Sequence, residues 1–256
     1  MNSVTRVTRI RLLAACAAAA LMAAPRPSLA QQAGMAGGSA ALNTLTAAER
    51  SAGWRLLFDG KTTAGWRGYK QDSVPPGWQV VDGALTRVNT ASDIITRDKF
   101  RNFELTLEWN IAPAGNSGIF YRGSEDDDAI YWNAPEMQVL DDAGHVDGKS
   151  RLTAAGAAYD VYPSPAGVVK PAGQWNQVRL VVKGKHVEHW LNGVKVIEYE
   201  LESPALMAAK AKSKFKDEPG WGTKLKGHIL LQDHGDEVAF RNIRLRPLPA
   251  TSSTRQ

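Results

Sequence analysis

The chain has 256 residues, with 31 Lys and Arg, 26 Asp and Glu and one cysteine. Four of the basic residues, Arg6, Arg9, Arg11 and Arg26, lie in the first 30 positions, which hold no acid, so the rest of the chain carries 27 basic against 26 acidic residues and no cysteine. That near neutrality argues against nucleic acid as a partner, because counterion-driven binding needs a dense basic stripe. The missing cysteine leaves that portion without disulfides or thiol chemistry.

In chain order, the early arginines, the apolar alanine-rich run from Leu12 to Ala24 and the small-residue ending Ser28-Leu29-Ala30 read as a secretory signal peptide cut after Ala30. The run is shorter than the roughly 18 residues of a spanning helix, so a periplasmic or secreted protein without a membrane span is expected. Leu13-Ala14-Ala15-Cys16 also fits a lipid-attachment signal. Only about four apolar residues precede Cys16, too few for the usual apolar region, which puts the cysteine inside the discarded peptide. Residues 31–49, rich in Ala, Gly, Gln and Ser, read as a flexible leader, and Thr46 to Ser51 gives one short helical turn at most.

From Trp54 the chain consists of short apolar or alternating runs separated by Gly, Pro, Asn and Asp, the pattern of many strands joined by turns. The candidate strands are Trp78–Val81, Ala84–Arg87, Asp93–Thr96, Phe103–Ile111, Ser117–Arg122, Glu136–Leu140, Trp175–Lys183, His186–Leu191, Lys195–Glu200, Gly227–Gln232 and Val238–Arg246. Asp82-Gly83 and Asn192-Gly193 each separate two of them, and both dipeptides favour two-residue hairpins. Ala205 to Lys214 is the one convincingly helical stretch, followed by the breaker Pro219-Gly220. Residues 249–256 read as a disordered tail. A single all-β domain over 50–248, built as a two-sheet antiparallel sandwich of the jelly-roll type with one inserted helix, follows.

Alternate residues of a strand share a face, so polar residues at every second position of an apolar run mark a wet surface. Glu136 and Gln138 share one face while Met137 and Val139 share the other. His228, Leu230, Gln232 and His234 fall together, as do Phe120 and Arg122. Asp141 falls opposite Glu136 unless the strand end redirects it. With the aromatic residues Tyr131, Trp132 and Trp190, this set suits the mixed hydroxyl and C–H surface of a sugar. The acidic run Glu125–Asp128 lacks a complete calcium-loop pattern, and no phosphate loop, nucleotide fingerprint or Gly-x-Ser-x-Gly occurs.

These residues resemble the 3-keto-disaccharide hydrolase domain family from Trp54 to Leu248. The resemblance is carried by Leu57-Phe58-Asp59-Gly60-Lys61 with Gly65-Trp66, Asn116-Ser117-Gly118-Ile119-Phe120-Tyr121-Arg122 and Pro135-Glu136-Met137-Gln138-Val139-Leu140-Asp141. It continues through Trp175-Asn176, His189-Trp190-Leu191-Asn192-Gly193, Leu231-Gln232-Asp233-His234-Gly235 and Phe240-Arg241-Asn242-Ile243. It implies a concanavalin-like jelly roll and cleavage of glycosidic bonds in sugars oxidised to a ketone at C3. Glu136, His145 and His234 are the candidate catalytic residues, and Tyr121, Arg122, Gln138, Asp141, Trp190 and Gln232 the candidate substrate contacts.

A C3 ketone acidifies the C2 proton and places the C1 oxygen β to the resulting carbanion, which opens an elimination route. That route needs a base at C2, a positive or hydrogen-bonding group at the C3 oxygen and an acid for the leaving oxygen. His145 or Glu136 is the expected base, Arg122 or a bound divalent cation the enolate stabiliser, and His234 the group serving the leaving oxygen. Water adding back makes the outcome hydrolysis; without that step it is a lyase reaction. The rival readings are a retaining glucanase using Glu136 and Asp141 and a carbohydrate-binding module without catalysis.

Overall fold

The computed structural model describes residues 41–250. The signal-peptide and lipid-attachment expectations and the first part of the leader lie outside the described residues, as do residues 251–256.

Helix α1 (Ala47–Ser51) is followed by β1 (Arg55–Leu56), β2 (Trp66–Gly68), β3 (Trp78–Val81), β4 (Ala84–Arg87), β5 (Ile94–Thr96), β6 (Phe103–Ile111), β7 (Asn116–Gly123) and β8 (Glu136–Leu140). After a long irregular segment come β9 (Asn176–Lys183), β10 (His186–Leu191), β11 (Val194–Glu200), helix α2 (Pro204–Lys210), β12 (His228–Leu231) and β13 (Val238–Pro247). All pairings are antiparallel. One sheet runs β11-β10-β9-β6-β13-β4-β3, with β1 also on β13, and the other runs β2-β5-β12-β7-β8. Both expected hairpins form, with Asp82-Gly83 at φ 49° and 74° and Asn192-Gly193 at φ 50° and 82°. Positive φ at both central residues is the turn whose twist matches the strands it joins.

The facing sides of the two sheets share one apolar core. Leu105, Leu107, Leu180 and Phe240 of the larger sheet meet Ile94, Ile119, Met137 and Leu231 of the smaller. A second, smaller cluster of Tyr69, Ile95, Phe120, Ile130, Ala134 and Leu230 lies on the other side of the smaller sheet, because segments outside the strands cover part of that face. Among the described residues no helix is long and apolar enough to cross a membrane.

Beyond one-residue shifts at strand ends, the structure departs from the sequence reading in three places. Strands β1 and β2, of two and three residues, are too short to display a period. Helix α2 stops at Lys210 instead of Lys214, since Ser213 Oγ donates to the Lys210 carbonyl at 2.8 Å and the Lys210 ammonium reaches the carbonyl of Glu218. Residues 41–49, composed like a leader, are mostly exposed but anchored at Asn43. Asn43 is buried and exchanges two hydrogen bonds with Asn242, at 2.7 and 2.8 Å. It also donates to the Gly83 carbonyl at 2.8 Å. Thr46 and Glu49 form a capping box for α1.

Candidate active site

The register across the smaller sheet sorts its outer-face side chains into rows. Ile95, Leu230, Phe120 and Glu136 lie side by side on β5, β12, β7 and β8. The first three are apolar and covered, so the row ends in a carboxyl. The neighbouring row is polar: Gln232 N–H donates to the Gly118 carbonyl at 3.0 Å, and Gly118 faces Gln138. One step beyond the Leu231–Ile94 pair, Asp93 stands beside Gln232 on the far flank. Gly118 has no side chain in the middle of this row, and a Cβ there would lie 2.2 Å from Glu136 Oε1. The glycine therefore lets the Glu136 carboxyl lean over β7 and leaves an open floor between two glutamines.

The cleft above that floor is lined by Asn116, Glu136, Gln138, Tyr159, Lys214, Gln232 and His234. Glu136 is 5% exposed, and burial pushes its carboxyl up to about 8, helped by the carboxylates of Asp93 and Asp147 and opposed by the Lys214 ammonium. Desolvation disfavours the charged form of an acid, and a nearby cation favours it. Lys214 follows helix α2; its backbone N–H donates to Asp160 Oδ2 at 2.7 Å. Its ammonium lies 4.3 Å from the ring centre of Tyr159 and 5.1 Å from that of Phe215. The Tyr159 hydroxyl donates to Asp147 Oδ2 at 3.3 Å. Asp93 is pushed up to about 6, first by burial.

Two histidines border the cleft, with ring centres 6.5 Å apart and planes at 85°. His145 follows the turn after β8, where its N–H donates to the Asp141 carbonyl at 3.0 Å. Its Nδ1 accepts the Asp147 N–H at 3.1 Å, which leaves the neutral ring's proton on Nε2. His234 is exposed on the connection from β12 to β13. That connection is held at Asp233, whose N–H donates to Asp93 Oδ1 at 2.9 Å and whose carboxylate accepts from Arg87 Nε at 2.7 Å.

The structure thus gathers Glu136, Gln138, Gln232, His234 and His145, and takes four other candidates elsewhere. Arg122 is the extra residue of a bulge, since His228 pairs with Gly123 but Ile229 with Tyr121. At φ 56° it leaves the strand alternation, and its guanidinium donates to the Arg101 carbonyl at 2.9 and 2.7 Å. Tyr121 points between the sheets, where its hydroxyl meets Tyr199 and lies 2.9 Å from His189 Nε2; burial pushes His189 down to about 4. Asp141 closes the turn ahead of His145, accepting the N–H groups of Ala114 at 2.8 Å and Ala143 at 3.2 Å. Among the described residues, Glu136 is the carboxyl in the lining of the cleft, and Asp141 does not join it there as the partner that the retaining-glucanase reading requires. Trp190 lies on the outer face of the larger sheet, its Nε1 bonded to Glu188 at 2.7 Å and its ring 4.9 Å from the Arg179 guanidinium.

Lys214, Tyr159 and Asn116 are the residues that sequence reasoning missed. Asn116 extends the alternation of Gly118 and Phe120 by one step, so it was within reach of the same reading. Lys214 stands at the end of the stretch read as helical and Tyr159 in a segment without a period, and neither carries a local signal for the cleft. The wider hollows of the molecule contain neither Glu136 nor either histidine. Among the described residues, one is lined by Arg55, Asp59 and Arg97, another by Thr106, Arg179 and Trp190, and a third by Asn110, Pro113 and Glu237.

Among the described residues, the one trio of His, Asp or Glu ligand atoms lying within 4.8 Å of one another is His186, Glu188 and Glu198. It sits on the larger sheet, and the Lys195 ammonium already pairs with Glu198 there. Glu136, His145 and His234 do not form such a trio, and the proposed reaction uses none of the divalent cation considered as the alternative to Arg122.

Residues 53–246 match a family profile described as the 3-keto-alpha-glucoside-1,2-lyase-like domain. The chain is 36% identical over 229 residues to a 3-keto-disaccharide hydrolase of Bacteroides thetaiotaomicron, covering 77% of this chain and 79% of that protein. Among solved structures, a candidate glycosyl hydrolase of Parabacteroides distasonis shares 32% identity with a TM-score of 0.76, over 81% of this chain and all of that one. A second from the same organism shares 30% identity with a TM-score of 0.62, over 76% of this chain and 99% of its own. With its two antiparallel sheets, its ordered motifs and this match over most of its length, the chain belongs to the 3-keto-alpha-glucoside-1,2-lyase-like domain family.

Proposed function

We propose that this chain cleaves the glycosidic bond of 3-keto-glucosides or 3-keto-disaccharides by removing the C2 proton and eliminating the group at C1. The observation that carries this reading is a single buried carboxyl, Glu136, raised to about 8 by burial and facing the Lys214 ammonium. A carboxylate with a raised pKa is a stronger base than an exposed one, and at pH 7 roughly a tenth of it is ionised.

In the proposed reaction Glu136 takes the C2 proton and the C–H electron pair forms the enolate. Lys214 stabilises the developing charge on the C3 oxygen, the role first considered for Arg122. Collapse of the enolate forms the C1–C2 double bond and breaks the C1–O bond. His234, with His145 behind it, supplies the proton to the departing oxygen from the wet rim of the cleft. Addition of water across C1–C2 yields the free 3-keto sugar, and the reaction is then a net hydrolysis. The relative from Bacteroides thetaiotaomicron, named a 3-keto-disaccharide hydrolase, supports the same substrate class.

The test incubates the protein with 3-keto-trehalose, a 3-keto-glucoside and their unoxidised parents in deuterated water. Release confined to the oxidised sugars, with deuterium at C2 of recovered substrate or product, is expected. Lys214→Met is expected to lower turnover about 10²–10³-fold. Release from the unoxidised parents at similar rates would overturn the reading. Export is part of the same proposal, on the strength of the arginines, apolar run and Ser28-Leu29-Ala30 ending. It predicts a mature N-terminus at Gln31 on protein recovered from the cell envelope or medium.

A further inference from the structure

Gln138 is 1% exposed, yet neither its Oε1 nor its Nε2 has a hydrogen-bond partner among the described residues. A buried amide without partners opposes folding, and native structures keep very few. This one stands on the cleft side of β8, directly opposite the bare Gly118, with Glu136 two residues before it on the same face. Gln232 flanks Gly118 from the other side, so the glutamine-bearing strands are two strand spacings apart, roughly 9–10 Å. That is about the breadth of one sugar ring with its hydroxyls.

We propose that Gln138 is the specificity-determining contact for the oxidised carbon. Its Nε2 donates to the C3 carbonyl oxygen, and its Oε1 accepts from the neighbouring C4 hydroxyl. This deepens the reading above and rests on it. The groups meeting the C3 oxygen, the Gln138 amide N–H and the Lys214 ammonium, are both donors. A ketone oxygen only accepts and satisfies both. An unoxidised C3 hydroxyl brings a proton of its own, which must compete with the C4 hydroxyl for Gln138 Oε1, and a site built for one hydrogen-bonding pattern disfavours a ligand that leaves a buried polar group unpaired. Gln232 completes the ring contact from the far side of Gly118.

The experiment measures calorimetric binding of a 3-keto-glucoside and its unoxidised parent to Glu136→Gln, whose slowed turnover lets binding be read, and to the same chain with Gln138→Met added. Glu136→Gln is expected to bind the keto sugar at least tenfold more tightly than the parent, and the added Gln138→Met to abolish that preference. Thermal melting of the single variant Gln138→Met supplies a readout that a merely structural glutamine would move the other way. Losing an unpartnered buried amide should leave the melting temperature unchanged or raised, whereas losing a structural contact lowers it. Gln138→Leu repeats the binding arm if the methionine variant does not melt cooperatively. A preference that survives both substitutions, with the parent enzyme cleaving keto sugars, overturns the role of Gln138 alone. Absence of both cleavage and keto preference before Gln138 is touched overturns the proposed function and this inference with it.

Discussion

Glu136 shows how one residue's position sets its chemistry. Its folded-state pKa of about 8 lies above the ordinary 4.5, so the folded chain holds a proton that the unfolded chain releases between those values. Stability from this group is fully present below pH 4.5 and is lost as pH rises towards 8. Glu136→Gln removes the ionisation, so the variant should match the parent in melting temperature near pH 4 and exceed it at pH 8, while turnover falls about 10²–10⁴-fold. Calorimetric melts across pH, paired with rates on a 3-keto-glucoside, check both halves. The residue itself was legible in the sequence, because Glu136 and Gln138 alternate with Met137 and Val139. Its altered acidity was not, since burial depends on Tyr159, Lys214 and the segments that cover β8.

At the scale of elements, β7 and the connection from β12 to β13 organise the site. Gly118→Ala would put a methyl 2.2 Å from Glu136 Oε1. The carboxyl must then move or β7 must shift, and a loss of about 1–3 kcal/mol is expected, as for other overpacked interiors. Denaturant unfolding measures it, with activity expected to fall further than stability accounts for. Asp93→Asn keeps an oxygen to accept the Asp233 N–H but removes a carboxylate that raises Glu136. The variant should stay folded, and the ascending limb of its pH–rate profile should move to lower pH, because the base ionises more readily once the neighbouring negative charge is gone. Asp93 was read only as the start of a strand; its place beside Gln232 follows from the pairing of β5 with β12, a partnership that neither segment reveals alone. The hairpins were readable because Asp82-Gly83 and Asn192-Gly193 act locally. The bulge at Arg122 was not, because the extra residue is defined only against β12.

The described domain is tied together by residues far apart in sequence. Asn43 bonds to Asn242 across 199 positions and to Gly83, bringing the segment before α1 onto the larger sheet. Against a chain beginning at Ala41, one beginning at Thr46 loses the three hydrogen bonds of Asn43 and should be less stable by about 1–3 kcal/mol, a drop of roughly 2–12 °C for a domain of this size. Equal melting of the two would show that these bonds contribute little.

Composition and order in the sequence by themselves determined the all-β class, most strand positions, the two tight hairpins, the family and the polar face of β8. Each of these rests on patterns that repeat every second residue or on dipeptides that turn the chain where they stand. Only the tertiary structure decided which polar residues meet. It brought Lys214 from just beyond helix α2 and Tyr159 from a segment without a period, withdrew Arg122 into a bulge, turned Tyr121 inward and put Trp190 on the opposite sheet. Alternation says that two side chains share a face, but which face is covered, and by what, is settled by strand partners and loops far away in sequence, and with them the burial that raises the Glu136 carboxyl.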